Sequence, residues 1–147
     1  MKHKLSFVAT ISVAAVLSAL AMSSLPARAA ASCVNVEVQN IRPEPGMLMV
    51  AAYADAASFS KSPVAATQMK TTGETTMTFP LCGVSGDKIA LTLYQDLNGN
   101  GKLDSNVMGI PIEPWGASGK PAAMSAPTWD TTAVPLDGAT IVVKLSK

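Results

Sequence analysis

The 147-residue sequence has little of several residue types on which catalytic and metal sites depend. His3 is its only histidine, charged residues make up 14% of the chain, and aromatic residues make up 5%. If the N-terminal segment is removed, no histidine remains, which excludes Ser-His-Asp and Cys-His catalysis and histidine-ligated zinc or copper. The chain is still typical of a folded protein, because 48% of its residues are hydrophobic.

Charge is distributed unevenly along the chain. The first 29 residues contain Lys2, Lys4 and Arg28 and no acidic residue. The rest contains eight Lys and Arg against ten Asp and Glu, a net charge of −2. A weakly acidic body without a basic cluster argues against a nucleic acid as partner. The length indicates one domain, or one domain plus a processed segment.

Residues 1–29 have the layout of a secretory signal peptide, with a basic start, an apolar run over 5–21 and small residues before the cleavage site. We expect cleavage after Ala29 or Ala31, which leaves one domain over 33–147. A membrane-anchoring helix is the alternative, although the run is short for a span. No other stretch is long enough to cross a bilayer, so we expect a soluble mature chain without a membrane span, in the periplasm or outside the cell.

Cys33 and Cys82 are the only two cysteines, and both follow the predicted signal peptide. An even number of cysteines in an oxidising compartment predicts one disulfide. Two buried free thiols are the alternative. A redox-active pair is disfavoured because the sequence has no C-x-x-C motif.

Short β-rich runs between glycines and prolines predict the fold class: an all-β sandwich of about seven strands, immunoglobulin-like or transthyretin-like. Most runs alternate apolar and polar residues, as half-buried strands do. The run over 47–54 is apolar on both faces and indicates a central strand. We expect 56–70 to be irregular, with Phe59 filling the core, and 105–136 to be a long connection. The alternating runs are 33–39, 74–81, 87–95 and 140–145.

Residues 94–106, Y-Q-D-L-N-G-N-G-K-L-D-S-N, carry oxygen-bearing side chains at even-numbered spacings, those of Asp96, Asn98, Asn100 and Asp104. This spacing resembles the first three quarters of an EF-hand-type calcium loop, in which such side chains surround one Ca²⁺ ion. Val107 stands where the last, bidentate Glu is expected, so we predict that Glu113 supplies the missing carboxylate, with Asn106 as the second choice. The predicted Ca²⁺ ligands are Asp96, Asn98, Asn100, the carbonyl of Lys102, Asp104 and Glu113.

A bare polar turn is the alternative interpretation of the same residues. Asn98-Gly99 and Asn100-Gly101 are both strong turn formers. A strand that ends in D-x-N-G-N-G can reverse its direction without any ion.

The same segment, followed by G-I-P-I-E-P-W-G over 109–116, resembles the bacterial domain-of-unknown-function family 2141. The resemblance extends from about Cys33 to Lys147 and includes P-T-W-D at 127–130. It implies a small exported β-sandwich protein without an established activity. The residues at positions matching the family pattern are Asp96, Asn98, Asn100, Asp104 and Glu113.

The residues suggest three further functions. Met47 and Met49 on one strand face suggest a Cu(I) ligand pair, although methionine more often fills a core. Paired carboxylates suggest an enzyme that acts on envelope polysaccharide, although a bound cation keeps its ligands ionised and makes them poor general acids. Trp115 and Trp129 suggest a surface for a sugar or a protein if exposed, or a clamp on the long connection if buried.

The sequence therefore predicts a non-enzymatic, exported binding or structural module. In this hypothesis Ca²⁺ ties the acidic loop to Glu113 and so orders a surface containing Trp115 and Trp129. An envelope protein or a glycan would be the partner.

Overall fold

The computed structural model describes residues 32–122 and 125–146. The predicted signal peptide and its cleavage sites lie outside these residues. The described chain contains eight strands and one four-residue helix. In chain order the elements are β1 (Ser32–Gln39), β2 (Gly46–Tyr53), β3 (Ala65–Thr71), β4 (Thr76–Val84), β5 (Lys88–Asp96), β6 (Trp115–Ala117), α1 (Trp129–Thr132), β7 (Val134–Pro135) and β8 (Ile141–Lys144).

The strands form two sheets packed face to face, which confirms the predicted β-sandwich. The smaller sheet has the order β4-β1-β8, in which β1 pairs antiparallel with β4 and parallel with β8. The larger sheet has the order β3-β2-β5-β6, and β7 pairs with the start of β5. Strand β2 lies between β3 and β5, so the central strand predicted over 47–54 is confirmed.

The core lies between the two sheets and is built from the inward row of each strand. The predicted rows are buried as expected, since period-2 alternation places every second side chain on one face. Met77 at the margin of the core is half-buried. The inward rows contribute Val34, Val36, Val38, Leu48, Val50, Ala52, Phe79, Leu81, Ile89, Leu91, Leu93, Ile141, Val143 and Leu145.

One prediction about the irregular segments was wrong, and one was confirmed. Residues 65–70, expected to be irregular, lie in the edge strand β3, whose inward row contains two threonines (Thr67 and Thr71), so the sequence alternates only weakly between apolar and polar residues. Phe59 is buried in the core from an irregular segment, as predicted: it packs with Tyr53 and Ala90 in a second core cluster, and its ring centroid lies 5.2 Å from that of Tyr53.

The long connection contains short elements that hydrogen bonds hold on the larger sheet. The buried Ser118 hydroxyl donates to the Thr132 carbonyl at 2.6 Å and accepts the Leu91 N–H at 2.9 Å, which ties α1 to β5. Gly116 allows β6 to approach β8, because a Cβ there would lie 2.5 Å from the Lys144 carbonyl oxygen. A side chain at Gly116 would therefore force the two strands apart.

Cys33 and Cys82 form a disulfide between directly opposed residues of β1 and β4. Both residues are exposed on the outer face of the smaller sheet. The predicted disulfide is therefore confirmed, and the alternative of two free thiols is not. Such a bond is consistent with an oxidising compartment.

We expect that replacing both cysteines with serine lowers the free energy of unfolding by roughly 4 kcal/mol, the chain-entropy value for a loop of about 50 residues. Urea unfolding measures the difference. Wild-type protein in reductant is the control and should match the double variant. Equal stability of the oxidised and the serine forms would contradict the prediction.

Candidate functional site

The candidate site is the loop between β5 and β6, residues 97–114, which leaves the larger sheet at Asp96. Asp96 is the last residue of β5 and is 2% exposed. Its Oδ1 accepts the backbone N–H groups of Gly99 at 2.7 Å and Asn100 at 3.2 Å, and its Oδ2 accepts that of Gly101 at 2.7 Å. The Asn-Gly repeats make this wrapping feasible, because Gly99 and Gly101 have φ of 75° and 73°, a region that favours glycine.

Two opposing effects act on the pKa of Asp96. Burial under the loop backbone raises this pKa, whereas the hydrogen bonds from Gly101, Gly99 and Asn100 lower it. The hydrogen bonds together outweigh burial, so the pKa lies below its ordinary value. Asp96 is therefore a carboxylate whose two oxygens are already committed to the loop backbone.

Glu113 closes the base of the loop. Its Oε1 accepts the Leu97 N–H at 2.8 Å, and its Oε2 accepts the Asp104 N–H at 3.0 Å. The side chain is 6% exposed, and the next residue, Pro114, accepts the Gln95 N–H at 2.8 Å. Glu113 therefore lies at the acidic loop, where the sequence analysis expects it. The partners of its carboxylate in the structure are backbone N–H groups.

Asp104 belongs to a second, exposed group of predicted ligands. Its carboxylate accepts the side-chain amide of Asn98 at 2.6 Å and that of Asn100 at 2.9 and 3.0 Å. The amide oxygens of these two asparagines accept the N–H groups of Asn100 and Lys102, at 3.1 and 2.8 Å. We call Asn98, Asn100 and Asp104 the amide cluster.

The five predicted side-chain ligands are therefore split between two environments. The side chains of Asp96 and Glu113 are buried and bonded to backbone, and the amide cluster faces solvent. Within 32–122 and 125–146, no three His, Cys, Asp or Glu side chains are grouped so that they could hold a metal ion. A cation at this loop would therefore depend on amide and carbonyl oxygens as well as on carboxylates.

Tyr94 and Trp115 connect the loop to the outer face of the larger sheet. They are directly opposed on β5 and β6, and the Tyr94 hydroxyl donates to the Gly101 carbonyl at 2.9 Å. Burial, together with the nearby Asp96 and Glu113 charges, raises the pKa of Tyr94 above its ordinary value, which keeps this donor protonated. Beside them lies a cavity of about 550 Å³, which Leu103 and Ile110 also line.

The two tryptophans are both half-buried, and they lie in different surroundings. Trp115 lines the cavity beside Tyr94, whereas Trp129 packs against the Tyr53–Phe59–Ala90 cluster. The sequence hypothesis of one surface built from both is therefore replaced by Trp115 with Tyr94. Met47 and Met49 lie half-buried on the outer face of β2, where their register partners on β5 are Asp96 and Tyr94.

Gln95 is a positioning residue that the sequence analysis missed. It is fully buried, its Oε1 accepts the Arg42 N–H at 2.8 Å, and its Nε2 donates to the carbonyls of Arg42 and Glu44 and to the hydroxyl of Thr71. These bonds hold the β1–β2 turn beside the end of β5. The signal in the sequence was a polar residue on the inward row of a strand, next to Asp96.

A family model described as "Uncharacterized protein conserved in bacteria (DUF2141)" matches residues 36–144. The chain belongs to this family. The match covers the sandwich from β1 to β8 together with the whole candidate loop, in agreement with the resemblance seen in the sequence. Neither the curated proteins nor the solved structures that were compared with the chain match it significantly. No helix in the part of the chain that the structure describes is long and apolar enough to span a membrane.

We expect Asp96→Asn to lower the free energy of unfolding by about 1–3 kcal/mol, because an amide leaves at least one of the three N–H donors without an acceptor. Folding lowers the pKa of Asp96. The contribution of Asp96 to the free energy of unfolding is therefore fully present above the unfolded-state pKa near 3.9, and it is lost as the pH falls through the lower folded-state pKa. Urea unfolding from pH 7 to pH 2 measures both effects.

The exposed Asp87→Asn variant is the matched control and should behave like wild type. The prediction fails if Asp96→Asn loses stability in acid as steeply as wild type.

Proposed function

We propose that the protein is an exported, non-catalytic binding module whose amide cluster binds Ca²⁺ weakly and steadies the surface formed by Tyr94 and Trp115. The observation that carries this proposal is the convergence of two side-chain amides on one carboxylate: the amide nitrogens of Asn98 and Asn100 both lie within 3.0 Å of the Asp104 carboxylate oxygens. All three face solvent or are half-buried, so an ion has access to them.

The chemistry of the cluster suits a hard cation after one local change. Ca²⁺ takes six to eight oxygen ligands. Rotating the amides of Asn98 and Asn100 would direct oxygen rather than nitrogen at the position that Asp104 faces, and would release their bonds to backbone N–H groups. Because these bonds are lost and water must complete the ligand set, we expect weak affinity, with a Kd of about 10⁻⁴–10⁻³ M.

The hydrogen bonds of Asp96 and Glu113 favour binding over hydrolysis. A glycosidase pairs one carboxylate with one carboxylic acid, both within reach of the substrate. Here both oxygens of Asp96 and both of Glu113 accept backbone N–H groups, and the two side chains are 2% and 6% exposed. These carboxylates therefore serve to hold the loop in place.

The Tyr94–Trp115 pair favours a glycan or an envelope protein as the partner. Aromatic rings beside a cavity of about 550 Å³ offer an apolar wall with polar edges, and ligand sites occupy about 300–1,000 Å³. The Tyr94 hydroxyl holds the Gly101 carbonyl, so a change in the loop is transmitted directly to this wall.

Ca²⁺ at about ten times its Kd should add ~1.4 kcal/mol to stability and raise Tm by roughly 5 °C. Thermal melts in millimolar CaCl₂ and in chelator measure this shift. Asp104→Asn should abolish the shift, while Asp87→Asn, which alters an acidic residue outside the loop, should retain it. An equal shift in all three proteins, or none in wild type, would refute the calcium site.

A further inference from the structure

The loop also carries an apolar hairpin tip, residues 105–112, that the proposed calcium site does not use. Among the residues that the structure describes, six large hydrophobic side chains are exposed, and four of them lie in this tip. Val107 is 106% exposed and Met108 is 79% exposed, and Ile110 and Ile112 are each more than half exposed. Clustered exposed apolar side chains mark interaction sites, whereas scattered ones are ordinary.

The fold accounts for the shape of the tip but not for its apolar residues. Ser105 and Pro111 form an antiparallel bridge, and the Gly109 N–H donates to the Asn106 carbonyl at 2.9 Å, which makes 106–109 a β-turn. Asn at the first position and Gly at the fourth suit such a turn. The two central positions, Val107 and Met108, accept almost any residue and are usually polar.

Four backbone N–H groups of the tip, including that of Gly109 described above, are hydrogen-bonded within the tip. The N–H groups of Met108 and Ile110 donate to the Asn106 side-chain oxygen at 2.9 and 3.0 Å, and the Asn106 N–H donates to the Ile110 carbonyl at 2.9 Å. In hydrocarbon an unpaired backbone polar group costs several kcal/mol. Four N–H groups of this turn already have partners, which lowers the cost of taking it out of water.

The tip is also free of charge. Residues 105–112 contain no Asp, Glu, Lys or Arg. The acidic residues that flank them, Asp104 and Glu113, accept hydrogen bonds from the loop at the base of the hairpin. The exposed tip is therefore uncharged, and four of its eight residues are large hydrophobic ones.

From these observations we infer that residues 105–112 form a membrane-docking tip, with Val107 and Met108 inserted among the lipid headgroups and upper acyl chains. A lipid surface fits better than a protein partner, because a convex turn with four apolar side chains offers much less than the ~800 Å² per partner of a stable protein interface. One small apolar element gives weak, reversible binding. Because the tip is uncharged, binding should not require anionic lipid.

The test measures partition of the purified protein onto phosphatidylcholine vesicles by co-sedimentation. The double variant V107S/M108S should reduce the partition coefficient at least tenfold. The matched control, V64S/V142S, removes the other two exposed valines, which are 46% and 47% exposed, and should bind like wild type. Residues 1–31 are the same in every variant. Any vesicle binding by these residues is therefore common to all of the proteins compared.

A second measurement reports on the tip alone. In the Val107→Trp variant, the fluorescence of the added tryptophan should shift to the blue when vesicles are present and should be quenched by brominated lipid. In the Val142→Trp variant, the fluorescence of the added tryptophan should show neither effect. Absence of the blue shift would overturn the proposal. Vesicle binding that requires anionic lipid and is lost at high salt would also overturn it. A protein that does not bind vesicles, but self-associates in solution unless Val107 and Met108 are replaced by serine, would overturn it as well. None of these outcomes depends on Ca²⁺, so the calcium site can fail while the docking tip stands.

Discussion

The bridge that Glu113 makes between the backbone N–H groups of Leu97 and Asp104 is the constraint on which the rest of the loop depends. A carboxylate accepts two N–H groups well, and a charged acceptor strengthens each bond. This single side chain draws together the first residue after β5 and the base of the hairpin. It therefore fixes where the acidic loop ends, where the apolar tip begins and where β6 starts.

Asp96 also accepts backbone N–H groups, those of Gly99, Asn100 and Gly101. The loop over 97–114 has two halves with different chemistry, and the buried carboxylates of Asp96 and Glu113 hold both. The half before Asp104 is polar and holds the amide cluster, and the half after it is apolar and uncharged. The bonds to neutral N–H groups allow negative charge to be buried at this point of the sheet. The loop thus presents a polar and an apolar surface side by side from one rigid base.

Much of the sandwich could be predicted from the sequence, because strands β1, β4 and β8 each alternate clearly and bury one row. Strand β5 buries its predicted row of Ile89, Leu91 and Leu93 and part of its other face as well. Strand β3 was missed because two of the four residues on its inward row are threonines, so apolar and polar residues alternate only weakly in the sequence. The burial of Phe59 was predicted, but an aromatic residue in an irregular segment gives no indication of which cluster it joins. The disulfide followed from the even count of cysteines and the oxidising compartment that the predicted signal peptide implies.

The candidate site could be located from the sequence, but its bonding could not. Oxygen-bearing residues at alternate positions predicted that the loop closes on itself and that Glu113 returns to it. Which of those oxygens accept backbone N–H groups depends on the path of the chain through Gly99 and Gly101, which spacing alone does not determine. The tip was overlooked for a related reason: apolar residues in a chain suggest a core until their exposure is known.

The position of β1 in the middle of the smaller sheet has a consequence for biosynthesis. Its neighbour β8 pairs with it in parallel, and Asn40 bonds to the carbonyl of Leu145 across a separation of 105 residues. Strand β1 can therefore pair with β8 only after the C-terminal residues have been synthesised. Long-range pairing of this kind is slow. While the C-terminal residues are still being synthesised, β1 has only β4 beside it, and the smaller sheet is incomplete.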